Sequence, residues 1–185
     1  MFTWRLIKKG KLISNLYFKN ILNLINNKNL NYILKKKNII IYFTLHHKLK
    51  TYSNKFRNNK YIQFINETKI SQILCEANLI VSDFSSIIFD FIYRRKPFII
   101  YIPDANDPEI ESIYENKYFE LINSLKNGTI FFKNKYLELN NTIKKILYYI
   151  NNDFKLEPIL ENFYNNFNLN KDNNTNKFID YLINL

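Results

Sequence analysis

The segment Leu79–Asp104, LIVSDFSSIIFDFIYRRKPFIIYIPD, is the part of the sequence most informative about the fold. It begins with a short apolar run, Leu79–Ser82, continues through a helix-like stretch, Ser85–Arg94, and ends in a second apolar run, Pro97–Ile102. Both runs are rich in β-branched and aromatic residues and are continuously apolar, as is typical of strands buried on both faces of a parallel sheet. The segment therefore predicts a strand–helix–strand unit of an α/β fold.

The same alternation extends along the chain and predicts one α/β domain, with a parallel sheet, helices on both faces and carboxy-terminal helices packed on it. Further predicted strands are Asn38–Thr44, Tyr61–Ile65 and Thr129–Phe132, with another around Met1–Trp4. Predicted helices are Asn15–Lys36, Lys69–Glu76 with Thr68 as its N-cap, Leu137–Ile150, Lys155–Phe167 and Thr175–Leu185.

Composition places the chain among globular proteins. Its 185 residues fit one domain with a substantial core, and 46% hydrophobic and 17% aromatic residues exclude an intrinsically disordered chain. No apolar run approaches the ~20 residues of a membrane span, and Met1–Gly10 lacks the pattern of a signal peptide. The single Cys75 excludes an internal disulfide and a multi-cysteine metal site. These features predict a cytoplasmic protein without a metal site.

The net charge of +11 has two explanations. It indicates attraction to a polyanion, such as nucleic acid, anionic lipid or a phosphate-rich substrate. It also fits an AT-rich genome, because Asn, Lys, Ile, Tyr and Phe are abundant together. A nucleic-acid binder is disfavoured because lysines are scattered along the chain and most aromatic residues lie in apolar runs, as core residues do.

The turn after Ser82 is the first candidate binding site. Ligands of open parallel sheets bind at the carboxyl ends of strands, and we expect Ser85 and Ser86 to open a helix there. The amino end of a helix favours an anion, and the two hydroxyls would add donors for phosphate oxygens. Asp90, one turn along the same face, would accept hydrogen bonds from ligand hydroxyls. Alternatively, both serines only cap a helix and Asp90 is an ordinary polar residue.

A second candidate site, Thr44-Leu45-His46-His47, closes the strand Asn38–Thr44 and contains both histidines of the chain. A histidine at the carboxyl end of a strand can donate to a phosphate or carry a proton near neutral pH. Because neighbours on an extended chain point to opposite sides, we expect only one of the two to face a ligand. The residues alone fit a surface turn with two incidental histidines equally well.

These motifs resemble those of the CDP-glycerol glycerophosphotransferase family, which builds poly(glycerol phosphate) teichoic-acid chains. That family has Asp-(Tyr/Phe)-Ser-Ser, then Phe-Asp-Phe, a basic turn, Pro and an apolar strand. It also has a Pro-Thr-Trp-Arg strand and a strand that ends in His-Pro. The matching residues here are Asp83-Phe84-Ser85-Ser86, Phe89-Asp90-Phe91, Arg94-Arg95-Lys96-Pro97, Phe2-Thr3-Trp4-Arg5 and Leu45-His46-His47. The resemblance covers roughly residues 2–135.

The resemblance implies a Rossmann-like half of a glycosyltransferase-B-like fold that holds CDP-glycerol as donor, without a cofactor. His46 would be catalytic, stabilising charge on the CMP that leaves. Phe2 and His47 stand where the family has Pro, and Thr44 stands where it often has a basic residue. The implied donor contacts are Phe2, Thr3, Thr44, Leu45, His46, Ser85, Ser86 and Asp90.

The resemblance also implies domains and partners. Residues 1–150 would form the donor-nucleotide-binding domain and residues 151–185 the carboxy-terminal helices. The family's amino-terminal domain has no counterpart here, so we expect this chain alone to bind donor without polymerising it. Implied partners are CDP-glycerol, a lipid-linked glycerol-phosphate acceptor, an anionic membrane surface on the inner face of the membrane and a separate chain with the missing half, but no nucleic acid. The alternatives are a nucleotide-binding domain without turnover and a glycosyltransferase-B-type enzyme that uses a nucleotide sugar.

Overall fold

Short parallel strands alternate with helices in the computed structural model, which describes residues 7–8, 11–12, 15–44, 60–65, 69–83, 85, 87–104 and 139–166. The strands in these ranges are β1 Ile7–Lys8, β2 Lys11–Leu12, β3 Ile41–Phe43, β4 Ile62–Phe64, β5 Ile80–Ser82 and β6 Phe98–Ile100. The helices are α1 Asn15–Ile25, α2 Lys28–Lys37, α3 Ile70–Glu76, α4 Ile88–Tyr93, α5 Leu139–Asn151 and α6 Pro158–Asn166.

The parallel pairing predicted from the sequence is confirmed in two strand pairs. β3 pairs with β4 from Ile41↔Ile62, and β5 pairs with β6 from Ile80↔Phe98. Between β5 and β6 the chain passes through α4, which makes the predicted strand–helix–strand unit. The predicted strands Met1–Trp4 and Thr129–Phe132 lie outside the described residues.

The predicted helix Asn15–Lys36 is wrong as one element, because the structure divides it into α1 and α2. Asn27 takes the N-cap position of α2, and its side-chain oxygen accepts a hydrogen bond from the N–H of Leu30 at 3.0 Å. Asn is among the best N-cap residues because its oxygen satisfies an otherwise unpaired helical N–H. At the other end, Asn38 closes α2 in the left-handed region, with φ 53°.

Two other local features differ from what the sequence predicts. The two-residue strands β1 and β2 form an antiparallel pair, with Lys8 opposite Lys11, which was not predicted from the sequence. Gly10, in the two-residue connection, is the signal that could have found it. The N-cap position of α3 is Lys69 rather than Thr68, and Lys69 makes no side-chain capping bond. Thr68 and the predicted helix Thr175–Leu185 lie outside the described residues.

Helix α5 joins the helices of the amino-terminal half to the sheet. It packs against α1, α2 and β6, so it contacts both the amino-terminal helices and the β5–β6 pair. Fully buried side chains of these helices include Ile21 of α1, Leu30 and Leu34 of α2 and Tyr149 of α5, and all four belong to one hydrophobic core. Burying an aliphatic side chain of this size stabilises the fold by about 1.5–3 kcal/mol.

An ion pair and a short loop fix α6 to α5. Lys145 of α5 pairs with Glu157, which lies directly before α6. Between the helices, Asp153 and Phe154 both have positive φ, and the N–H of Phe154 bonds back to the carbonyl of Tyr149 at 2.8 Å. Burial and, to a lesser extent, the negative charge of Glu157 raise the pKa of Tyr149, so its phenol stays protonated in this network.

Candidate functional site

Buried polar side chains collect where the parallel strands end. In the described ranges, five of the six buried polar or charged residues lie at or after the carboxyl end of β3, β5 or β6. These five are Thr44, Ser82, Asp83, Ser85 and Asp104, and we call them the polar edge. Burying such groups without hydrogen bonds would cost a few kcal/mol each, and Thr44, Ser82, Asp83 and Asp104 do have interaction partners. The carboxyl ends of parallel strands are where ligands of open α/β sheets bind.

Backbone and side-chain hydrogen bonds hold the segment after β6 in place. The N–H of Tyr101 donates to the carbonyl of Ser82 at 2.8 Å, which continues the β5–β6 pairing to the polar edge. On the other side, the side-chain amide of Asn20 in α1 donates to the carbonyl of Pro103. Asn20 was not predicted, and an asparagine in an asparagine-rich chain gives no signal that could have identified it.

Tyr101 is the ionisable group next to this segment. Burial, and after it the negative charge of Asp104, raise the pKa of Tyr101 above its ordinary value of about 10. The phenol therefore stays protonated at neutral pH, so it can donate a hydrogen bond but cannot act as a general base there. Asp104 is fully buried, which keeps its carboxylate within the polar edge.

Ser85 does not open the helix that comes after β5. Helix α4 begins at Ile88 with Ile87 as its N-cap residue, and the carbonyl of Ser85 accepts a hydrogen bond from the N–H of Ile88 at 3.2 Å. The predicted helix start at Ser85 is therefore wrong by three residues. Asp83 and Ser85 are both buried in the segment between the end of β5 and the start of α4.

This correction changes how an anion could bind. Helix α4 has only six residues and begins three positions after Ser85. Its amino end therefore stabilises an anion near Ser85 less than we expected from the sequence. What remains is the hydroxyl of Ser85, a buried residue that comes three positions after the end of β5. Ser86, its predicted partner, lies outside the described residues.

Thr44 is the part of the second candidate site that the structure places. It is buried directly after β3, where the carbonyl of Phe43 accepts a hydrogen bond from the N–H of Ile65 at 2.9 Å. Thr44 thus lies at the carboxyl end of a parallel strand pair, as predicted. The other predicted donor contacts here and at the amino terminus, Leu45, His46, Phe2 and Thr3, lie outside the described residues, as does His47.

Asp90 is exposed on α4. Because α4 begins at Ile88, Asp90 belongs to its first turn rather than to a second turn counted from Ser86. Its backbone carbonyl accepts a hydrogen bond from the N–H of Arg94 at 3.2 Å, so the local backbone is helical. An exposed carboxylate in this position is accessible to hydroxyl groups of a ligand.

A cavity of about 470 Å³ lies between the two strand pairs. Its wall includes Thr44 and Ile87, so the end of β3 and the turn after β5 border one space. Most of the wall is apolar, with contributions from α2, α3, β3, β5 and α5, and no Lys or Arg of the described ranges lines it. A pyrophosphate needs donors or cations, so the cavity itself does not suit one.

The basic turn after α4, Arg94-Arg95-Lys96, makes hydrogen bonds within the protein. One guanidinium nitrogen of Arg94 donates to the carbonyl of Leu74 at 3.3 Å, and the ammonium group of Lys96 donates to the carbonyls of Cys75 at 3.0 Å and Ala77 at 2.7 Å. These bonds occupy carbonyl groups at the carboxyl end of α3, where a positive charge is favourable. The turn therefore ties α3 to the start of β6.

Two kinds of feature are absent from the described ranges. There, no group of three or more His, Cys, Asp or Glu side chains is arranged to hold a metal ion. No helix in that part of the chain is long and apolar enough to cross a bilayer.

Comparisons with known proteins agree with the motifs at the polar edge. The family described as CDP-glycerol:poly(glycerophosphate) glycerophosphotransferase matches residues 1–182. The minor teichoic acid biosynthesis protein GgaB of Bacillus subtilis (strain 168) is 28% identical over 171 residues, which are 91% of this chain and 18% of that protein. The chain thus spans less than a fifth of the length of this curated relative. No solved structure matches the chain.

Proposed function

The chain belongs to the CDP-glycerol:poly(glycerophosphate) glycerophosphotransferase family, and from that premise we propose that it holds CDP-glycerol at the polar edge. The reaction is transfer of glycerol phosphate to a teichoic-acid-type acceptor with release of CMP. The observation that carries this proposal is the collection of buried polar side chains at the carboxyl ends of β3, β5 and β6. No cofactor is required, because the donor is itself the activated substrate.

The transfer breaks one phosphate bond and forms another. A terminal hydroxyl oxygen of the acceptor bonds to the β-phosphorus of CDP-glycerol, while the bond from that phosphorus to the bridging oxygen breaks. The electron pair stays with CMP, and the hydroxyl proton goes to a base or to solvent. Phosphoryl transfer asks a protein mainly for positioning and for stabilisation of charge.

The proposed roles depend on the types of side chain. The hydroxyls of Ser85 and Ser86 donate to the pyrophosphate from the segment between β5 and α4. Thr44, at the end of β3, donates from the other strand pair, and Asp90 accepts hydrogen bonds from ligand hydroxyls on the exposed side of α4. His46, two residues after Thr44, stabilises the charge that develops on the leaving CMP.

Phe2, Thr3 and Leu45 complete the proposed donor contacts. The proposed architecture is the donor half of a glycosyltransferase-B-like fold, with residues 1–150 holding the nucleotide and residues 151–185 supplying carboxy-terminal helices. The parallel pairs β3–β4 and β5–β6 support this architecture. The acceptor is proposed to be lipid-linked, which requires the protein to work at the inner face of a membrane.

Replacing the two serines tests the proposal. In Ser85→Ala/Ser86→Ala, we expect calorimetry to show CDP-glycerol binding weaker by about 1–3 kcal/mol, because hydrogen bonds to a charged group are lost. The matched control is Ser71→Ala, which changes an exposed serine of α3. Circular dichroism checks that both variants are folded. Unchanged affinity in the folded double variant would show that the serines only shape the turn.

A further inference from the structure

Left-handed backbone conformations are concentrated around helix α6. Among the described residues, the non-glycine residues with positive φ are Asn38, Arg95, Asp153 and Phe154. Asn38 ends α2, whereas the other three lie where α6 joins α5 or where it packs on the basic turn. A side chain with a Cβ atom is sterically unfavourable in this region, so such residues keep the conformation only where surrounding contacts hold them.

The connection between α5 and α6 contains two of these residues in succession. Asp153 and Phe154 have φ of 51° and 57°. The N–H of Phe154 donates to the carbonyl of Tyr149 at 2.8 Å, and Phe154 is partly buried against the hydrophobic core. An aromatic residue is unusual in the left-handed region. These contacts therefore hold the connection in a conformation that its own sequence does not favour.

The far end of α6 packs on the third of these residues. Arg95, in the basic turn, has φ of 53°. Its guanidinium group donates to the side-chain oxygen of Asn165 and lies over the ring of Tyr164, 6.0 Å from the ring centre. The hydroxyl of Tyr164 donates to the carbonyl of Lys96. Helix α6 thus holds the turn that leads into β6.

Few buried groups attach α6 to the rest of the protein. The described residues of α6 include two buried side chains, Leu160 and Tyr164, whereas α5 has five buried residues. The ion pair between Lys145 and Glu157 is not fully buried, because 24% of the lysine side chain and 13% of the glutamate side chain are exposed. Elements with few buried contacts open at lower free energy than the core of a protein does.

We propose that α6 is a strap that docks on the basic turn and releases from it as one unit. Burial of Leu160 and Tyr164 and the Lys145–Glu157 pair favour the docked state, and the strained connection favours the released state. Release frees the guanidinium group of Arg95. Because the same turn holds α3 to the start of β6, release also loosens the amino end of the β5–β6 pair.

Residue-resolved hydrogen exchange of the full chain, measured by NMR, tests whether α6 opens separately. The amides of Arg95 and Lys96 donate to the carbonyls of Ile92 and Phe91, so their exchange reports on the turn. We expect the amides of α6 and these two amides to exchange at least about tenfold faster than those of α5, because opening of α6 exposes less buried surface.

Two pairs of variants test what holds the strap. Glu157→Gln breaks the ion pair and should speed exchange in α6 about tenfold, whereas Glu161→Gln, at an exposed glutamate of α6, should change it about twofold or less. Asp153→Gly relieves the strained connection and should slow exchange in α6 about two- to threefold. Asn38→Gly makes a similar change at the end of α2 and should leave α6 unaltered.

Three results would overturn the proposal. Exchange of α6 at the rate of α5 in the native chain would show that α6 opens only when the whole domain unfolds. Slow exchange at Arg95 and Lys96 while α6 exchanges fast would show that release does not reach the basic turn. Equal effects of Glu157→Gln and Glu161→Gln, in variants whose circular dichroism is native, would show that the ion pair does not hold the strap.

Discussion

The two ends of the β5–β6 pair use polar residues in opposite ways. At the carboxyl end, Asp83, Ser85 and Asp104 are buried side chains in the short turns that leave the two strands. At the amino end, Arg94 and Lys96 extend their charged groups to the last carbonyls of α3. Both sets belong to one continuous motif in the sequence, and Ser85, Arg94 and Lys96 are of types that can bind phosphate. The structure assigns the basic set to holding the fold together.

This difference shows that residue type alone does not identify a phosphate site. A cation already bonded to two carbonyls of its own chain has few donors left for a ligand. Substitutions at the amino end should therefore change the free energy of unfolding and leave donor affinity unaltered, and substitutions at the carboxyl end should lower donor affinity. Three pairs of variants test that separation.

The largest effect is expected at the amino end. Lys96→Met keeps most of the side-chain length but removes both hydrogen bonds to the carboxyl end of α3, so the free energy of unfolding should fall by about 2–3 kcal/mol. Urea unfolding monitored by circular dichroism measures it. Lys155→Met, at an exposed lysine, is the control and should change stability by about 0.5 kcal/mol or less. A Lys96→Met protein of native stability that binds CDP-glycerol poorly would reverse our assignment.

A smaller effect is expected when a buried threonine is replaced by valine, which has nearly the same size. Thr44→Val at the polar edge should weaken CDP-glycerol binding by about 1–2 kcal/mol, because a donor to the ligand is lost. Thr142→Val in α5 should leave donor binding unchanged. Its hydroxyl is buried without a hydrogen-bond partner in the described part of the chain. The substitution should therefore leave the free energy of unfolding unchanged or raise it. Calorimetry and thermal unfolding of both variants distinguish the two sites, and equal losses of donor affinity would remove Thr44 from the site.

The smallest effect is expected where α6 meets the basic turn. The hydroxyl of Tyr164 donates to the carbonyl of Lys96, so Tyr164→Phe should lower the free energy of unfolding by about 1 kcal/mol. Tyr93→Phe, at a tyrosine that is 64% exposed, is the matched control. If the two substitutions have the same effect on urea unfolding, α6 does not support the amino end of the pair.

The strands could be predicted from the sequence because their signal is local. Continuous apolar runs such as Pro97–Ile102 can only be buried on both faces, and that requirement also predicts parallel pairing. The ends of the helices were predicted less well. The division at Asn27 depends on one side-chain oxygen reaching the N–H of Leu30, and the late start of α4 depends on the burial of Asp83 and Ser85. The spacing of hydrophobic residues predicts neither the capping hydrogen bond of Asn27 nor the burial of the turn before α4.

The positions of two proposed site residues could be predicted for the same reason. Thr44 and Ser85 both come after strands, and β3 and β5 are present in the structure, but the binding role of these residues stays a prediction. The internal role of Lys96 could not be predicted, because the carbonyls it contacts are about 20 residues away in sequence. The contribution of Asn20 likewise depends on a contact with Pro103, which is distant in the sequence. Long-range hydrogen bonds of this kind leave no local pattern.

The most direct test of donor binding at the polar edge is calorimetric titration of the full chain with CDP-glycerol, CMP and a nucleotide sugar. We expect CDP-glycerol to bind more tightly than CMP, because CDP-glycerol alone of these two carries the pyrophosphate that Ser85 is proposed to contact. We also expect it to bind more tightly than the nucleotide sugar, because the site is proposed to accept a glycerol group. If CMP binds as tightly as CDP-glycerol, or the nucleotide sugar binds more tightly, the proposed donor is contradicted.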